Sequence, residues 1–314
     1  MSNPPKSNTD ASPADKSSTG AWTVLGLLRW TTGYFTKKGV EAPRAGAELL
    51  LAHCLGTGRL DLYLRYDQPL QAPELARYKA LIQRRAKGEP VAYITGERSF
   101  WTLGLSVNPA VLIPRPETER LVEIALEAMK RISRPRARVL DLGTGSGAIV
   151  LSLAAEHPHA YFLALDYSTR ALQTARENQL RNAIEAQVDY VAADWCAPLG
   201  VPVDASGSRR APFDLIVSNP PYIAAPEIAG LQTEVSRFEP RVALDGGPDG
   251  LDCLRLILEQ ASGLLISGGE LILEIGSDQG EALRAIAATQ AVYEAIEIHK
   301  DYAGLNRVAQ LRRT

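Results

Sequence analysis

The rhythm of apolar and polar positions changes once along the chain. Residues 22–87 repeat apolar side chains at helical spacing, whereas beyond Pro135 short β-branched runs alternate with helical stretches. In the first part, residues 22–38 bring Leu25, Leu28, Thr32 and Phe35 near one helix face. A second helix begins at Pro43, a residue suited to a first turn, and carries Ala47, Leu50, Leu51 and Cys54 on its face. A third covers 73–87 with Leu75, Tyr78, Leu81 and Ile82 inward. Together they predict a small helical domain over residues 21–88. From 91 to 107, Tyr93-Ile94 and Leu103-Gly104-Leu105-Ser106-Val107 bracket a glycine-containing middle, which predicts a β-hairpin within a linker at 89–110.

The remainder, 111–314, predicts an α/β domain. A helix over about 117–131 starts with Glu117 and Glu119 at its positive end, and Pro114 and Pro116 fix an extended entry around Arg115. Apolar runs at 138–142, 160–165, 188–192, 213–217 and 270–275, and further ones near 292–298 and 307–311, predict seven strands. Helices are expected around Ile149 to Ala155, from the cap Ser168 to Arg181, and over 251–265 and 279–289. Such alternation predicts a doubly wound, mostly parallel sheet.

Composition removes several alternatives. With 46% hydrophobic and 22% charged residues in 314, the chain is globular and long enough for two domains. A formal charge of −2 gives no general drive toward nucleic acid. Cys54, Cys196 and Cys253 are far apart, and His53, His157, His159 and His299 form no ligand set, so no metal or disulfide framework is expected. No apolar run reaches the roughly 20 residues of a membrane span. The polar residues 1–20 read as a disordered tail without the apolar core of a signal peptide, and the polar stretch 204–210 as a solvated insertion; the expected compartment is the cytoplasm.

Two strand ends carry candidate chemistry. Asp141-Leu142-Gly143-Thr144-Gly145-Ser146-Gly147 joins a strand end to a helix start, and its glycines let a ligand approach the backbone. Asp166, roughly 20 residues on, ends the next strand, where a carboxylate can accept from a ribose diol. Spacing alone leaves the cofactor open, since Gly143, Gly145 and Ala148 also meet the loose dinucleotide pattern. The other strand end is Ser218-Asn219-Pro220-Pro221-Tyr222. Its prolines end the pairing, and the Asn219 side-chain oxygen and the Pro220 carbonyl are acceptors able to hold the two N–H donors of a planar amide or amino group. Taken alone, the tetrapeptide is equally turn punctuation.

If the first and fourth strands are neighbours, the two loops face each other across the crevice of the sheet. Hydride transfer usually needs a proton donor such as His or a Tyr/Lys pair, and no such cluster stands near the strand ends. Methyl transfer from S-adenosylmethionine asks mainly that a nitrogen be held in line with an activated carbon. Asp194-Trp195 after the third strand offers a carboxylate and an aromatic face suited to adenine; hydrophobic cover is the plainer role for Trp195.

With these loops in place, the chain resembles the HemK-type family of class I S-adenosylmethionine-dependent methyltransferases, and within it the bacterial peptide chain release factor N5-glutamine methyltransferases. The resemblance runs from about Trp22 to the end. It rests on Leu112-Ile113-Pro114-Arg115-Pro116-Glu117-Thr118-Glu119, the Asp141 to Gly147 turn, Asn219 to Tyr222, Arg237-Phe238-Glu239-Pro240, Ala243-Leu244-Asp245-Gly246-Gly247 and Asp301-Tyr302-Ala303-Gly304. It implies a Rossmann-like methyltransferase sheet with a helical substrate-recognition domain that grips the release factor. It also implies methylation of the glutamine side-chain amide in the Gly-Gly-Gln loop of class I release factors. Carried onto this sequence, Gly143, Thr144, Gly145, Ser146, Gly147, Asp166, Trp195 and Asn219 would contact the cofactor, and Asn219, Pro220, Pro221 and Tyr222 would hold the glutamine. The rivals are a ribosomal-protein glutamine methyltransferase, a nucleic-acid adenine-N6 methyltransferase and a non-catalytic scaffold that keeps the cofactor fold. Against the second, no cluster of basic and aromatic residues forms a target-recognition region.

Overall fold

A computed structural model describes residues 22–196, 199 and 212–314; the expected tail at 1–20 and insertion at 204–210 lie outside these. The chain divides between Thr95 and Gly96 into two compact units.

The first unit is helical: α1 Val24–Lys37, α2 Pro43–Leu55, α3 Arg59–Leu64, α4 Ala72–Ala86 and α5 Val91–Thr95. Thr23 caps α1 by accepting from the Gly26 N–H at 3.2 Å. On α2 the expected face, Ala47, Leu50, Leu51 and Cys54, is buried. On α1 the buried face is instead Val24, Leu27, Leu28, Thr31 and Phe35, rotated from the expected one. The helix has apolar residues on two sides, and its partly buried Trp30 stacks on Tyr34 at 5.3 Å, so periodicity alone did not choose the inner face. Tyr93 and Ile94, expected in a hairpin arm, lie in α5.

The second unit opens with the hairpin β1 Glu97–Phe100 and β2 Leu103–Ser106, then α6 Glu119–Lys130. A seven-stranded sheet follows: β3 Arg138–Leu142, β4 Tyr161–Asp166, β5 Gln187–Ala192, β6 Phe213–Ser218, β7 Leu265–Glu274, β8 Tyr293–Lys300 and β9 Asn306–Arg313. Its order is β5-β4-β3-β6-β7-β9-β8, parallel except that β9 runs antiparallel to β7 and β8. The remaining helices are α7 Ala148–Glu156, α8 Thr169–Arg181, α9 Thr233–Phe238, α10 Asp252–Ser262 and α11 Gly280–Ala288. Strand alternation sends Val139, Leu215, Val217 and Ile272 into one core with α6 and α7. Leu140, Leu142, Ile216, Leu271 and Leu273 enter the other with α10 and α11. β7 starts earlier than expected because the chain passes through Gly268 at φ 75° and Gly269 without leaving the sheet, at a register shift against β6.

Candidate active site

The strand order reverses between β3 and β6, and this reversal makes the site. Leu142 pairs with Ser218, and the Ser218 hydroxyl donates to the Leu142 carbonyl at 2.7 Å, so both strands end at one level. Their loops part there and open a crevice. On the β3 side, Gly143, Gly145 and Gly147 all have left-handed φ, which favours glycine. The turn is tied to β4, because Thr144 N–H donates to the Leu165 carbonyl at 2.9 Å and Gly145 N–H to Asp166 Oδ2 at 2.8 Å. Asp166 Oδ1 accepts from Ser168 N–H at 2.8 Å, and each oxygen keeps a further lone pair. Buried Asn178 on α8 donates to the Ser146 carbonyl at 2.9 Å and accepts from Ser106 N–H at 2.7 Å, stitching turn and hairpin together.

A cavity of about 470 Å³ fills the crevice, a size suited to a nucleoside-bearing cofactor. Its walls carry the carboxylates Asp166, Asp194 and Asp245, and no Lys, Arg or His is among the described lining residues. Below the turn, burial pushes the Asp141 carboxyl up to about 7 against the pull of the Thr144 hydroxyl, which donates to it at 2.7 Å. A pyrophosphate would meet carboxylates without a countercharge, whereas a sulfonium and an ammonium would be welcome. This donor set fits S-adenosylmethionine and disfavours the dinucleotide alternative. Trp195 lines the cavity with its ring beside Gly143, and its left-handed φ of 50° costs about 1–3 kcal/mol that the surrounding packing must offset.

Opposite, the Asn219 turn is held from behind by the loop 243–250. Ile223 N–H donates to the Leu244 carbonyl at 3.1 Å and Gly246 N–H to the Ile223 carbonyl at 2.9 Å. A Cβ on Gly246 would stand 2.9 Å from the Pro221 oxygen, so only glycine allows this approach. Asn219 Nδ2 donates to Thr118 Oγ1 at 3.2 Å, and Tyr222 donates its hydroxyl to Glu274 Oε1 at 3.2 Å. Among the described residues no donor reaches Asn219 Oδ1 or the Pro220 carbonyl. Arg115 is no free cation, since it binds buried Glu239 at 2.5 Å, and Ile113 N–H donates to the same carboxylate at 3.2 Å. That pair fixes Pro114 and Pro240 on the cavity wall.

Of the residues expected in the site, Gly143, Thr144, Gly145, Ser146, Asp166, Trp195, Asn219 and Pro221 line this one cavity. Gly147, Pro220 and Tyr222 do not. Gly147 caps α7, where a Cβ would come within 2.9 Å of Leu151. Pro220 is buried, and Tyr222 is turned to Glu274. Sequence reasoning gave no site role to Thr118, Asn178, Glu239 or Glu274. Buried polar type is their common signal, yet Thr118 and Glu274 are separated by 156 positions and meet only in the fold. Among the described residues no His, Cys, Asp and Glu group could hold a metal, the three cysteines are unpaired, and no helix is long and apolar enough to cross a membrane.

Comparison with known proteins adds what geometry cannot. Residues 26–96 match the PrmC N-terminal domain model and residues 121–234 the methyltransferase small domain model. The release factor glutamine methyltransferase of Rhodopirellula baltica is 38% identical over 96% of this chain and 99% of its own length. Those of Geobacter sulfurreducens and Moorella thermoacetica are 42% and 44% identical over 91% and 86% of this chain, and over 95% and 91% of their own. The catalytic domain of hMettl16, solved with a MAT2A 3′UTR hairpin, superposes with a TM-score of 0.51 at 16% identity, over 79% of this chain and 83% of its own, a likeness of fold alone. A full-length match at this identity, over a chain whose two facing turns line one acidic cavity, makes this protein a member of the release factor glutamine methyltransferase family.

Proposed function

We propose that this protein methylates the side-chain amide nitrogen of a glutamine in peptide chain release factors, at their Gly-Gly-Gln loop, in the cytoplasm. The observation that carries this reading is the shared cavity, with a glycine turn and carboxylates on one side and the Asn219 acceptor on the other. S-adenosylmethionine supplies, when bound, a methyl group already activated on a sulfonium centre. Gly143 to Ser146, Asp166 and Trp195 hold its nucleoside and amino-acid parts, with the Asp166 oxygens accepting from the ribose. The helical unit contributes to gripping the release factor.

The residues of the Asn219 turn have the harder task, because an amide nitrogen is a poor nucleophile whose lone pair is delocalised into its carbonyl. Asn219 Oδ1 and the Pro220 carbonyl accept the two amide hydrogens and hold the nitrogen in line with the methyl carbon. Tyr222 stands outside the cavity, and its hydroxyl bond to Glu274 braces the turn from behind. Transfer would break the C–S bond as the C–N bond forms, leaving a neutral thioether, and the nitrogen held by this turn, made acidic by the methyl group, would give its proton to water. No separate base is required, in keeping with acceptors rather than His or Lys in this turn.

Labelled S-adenosylmethionine offered with a release factor, a ribosomal protein and duplex DNA in parallel tests the reading. Label is expected on the release factor; label on DNA alone would overturn it in favour of adenine methylation.

A further inference from the structure

We infer that Thr118 and Glu274 are positioning residues that decide which edge of the Asn219 side-chain amide faces the substrate. The inference rests on the reading above, in which Asn219 Oδ1 is the acceptor for the substrate amide.

An asparagine amide has an acceptor edge and a donor edge of nearly equal shape, so packing alone does not choose between them. Presented with its NH₂ edge, Asn219 would set donor against donor and repel the substrate amide. The choice is made one layer back. Glu274 ends β7, is 1% exposed and accepts from the Thr118 hydroxyl through Oε2 at 2.6 Å. Its other oxygen, Oε1, receives the Tyr222 hydroxyl at 3.2 Å. A threonine hydroxyl has one hydrogen, and an ionised carboxylate can only accept, so that hydrogen is committed to Glu274. The Thr118 oxygen then offers Asn219 only lone pairs. The amide must turn Nδ2 toward it, as it does at 3.2 Å, and Oδ1 becomes the edge left for a guest.

Two further observations support the assignment. Thr118 precedes α6 at the capping position, yet its side chain caps no backbone N–H of that helix. Its hydroxyl serves Glu274 instead. Arg307 on β9 explains the Asp301 to Gly304 stretch at the same time. It donates to Asp301 Oδ2 at 3.2 Å and to the Ile275 carbonyl at 3.4 Å; burial raises the Glu274 carboxyl, and the Thr118 hydroxyl bond and the Arg307 charge oppose that rise without cancelling it. A neutral Glu274 would donate to Thr118, free the hydroxyl hydrogen for Asn219 Oδ1 and reverse the amide.

The test is a double-mutant cycle on the full chain, with release factor and S-adenosylmethionine, reading kcat, KM and cofactor affinity. Thr118→Val is expected to lower kcat roughly 10- to 100-fold with cofactor affinity within about threefold, and Thr118→Ser to restore kcat to within about threefold. In the Asn219→Ala background, Thr118→Val should cost less than about threefold, because nothing is left to orient. Glu274→Gln keeps the volume and reports the same loss should the valine variant fail to fold. Equal losses with and without Asn219, or kcat near parental in both Thr118→Val and Glu274→Gln, would overturn the assignment. A parental protein that leaves release factor unmethylated would instead contradict the proposed function.

Discussion

Glu48 on α2 and Glu274 at the end of β7 are both buried carboxylates that accept from a tyrosine hydroxyl, and they differ in what else surrounds them. Burial alone would raise both. Around Glu48, Tyr63, Arg59 and Arg44 outweigh it and hold the carboxyl down to about 2. Around Glu274 the direct partners are the neutral hydroxyls of Thr118 and Tyr222, Arg307 acts without a direct hydrogen bond and Glu117 repels, so burial wins and the carboxyl stays above its usual range. Full ion pairing makes Glu48 a fixed structural charge. Hydroxyl partners make Glu274 a device for aiming other side chains, at a cost to stability.

The largest effect should come from the residue that the Glu274 network serves. Asn219→Ala is expected to lower kcat on the order of 100-fold or more in steady-state methylation, while calorimetry shows cofactor affinity within a few-fold. Glu48 has no such dependant. Glu48→Gln should lower Tm by roughly 5 °C near neutral pH, because Arg44 and Arg59 lose their charge partner, and leave kcat of the folded protein within about twofold. Equal kinetic damage from Glu48→Gln would break the contrast.

pH separates the two by sign. The folded pKa of Glu48 lies below its unfolded value, so its stabilisation is present above about 4.5 and fades as pH falls toward about 2. The Tm gap between parental protein and Glu48→Gln should close over that interval. Glu274 is raised, so the folded state binds the extra proton and the parental protein loses stability relative to Glu274→Gln as pH rises through the raised pKa. Thermal melts of the three proteins across pH check both directions. The smallest effect belongs to an exposed pair: Lys130→Ala, which breaks the contact to Glu127 at 2.6 Å, should move Tm by no more than about 1 °C.

The same contrast explains what could be read from the sequence. Strands β3, β4 and β6 and the turns after them follow from short apolar runs and from turn residues close by in the chain, so the glycine turn, Asp166 and Asn219 are legible as one crevice. The short helix α3 was not, because Leu60, Tyr63 and Leu64 face solvent and only Leu62 is buried, which leaves no apolar period to detect. The inner face of α1 differs from the expected one because aromatic residues give the helix two apolar sides. Thr118, Glu239 and Glu274 resemble ordinary surface residues until the sheet brings distant segments together. The carboxylate-only cavity was likewise hidden, since Asp166, Asp194 and Asp245 come from three separate loops.

The Asn219 turn is built to present a planar amide nitrogen to an activated methyl group. Tandem mass spectrometry of a release factor incubated with the protein and S-adenosylmethionine, with fragment ions that assign the methyl to one side chain, tests it most directly. A single methyl is expected on the side-chain amide nitrogen of the Gly-Gly-Gln glutamine, absent when Asn219→Ala replaces the parental protein. A methyl on a lysine, a carboxylate or a backbone nitrogen, or the same glutamine methylated equally well by Asn219→Ala, would contradict it.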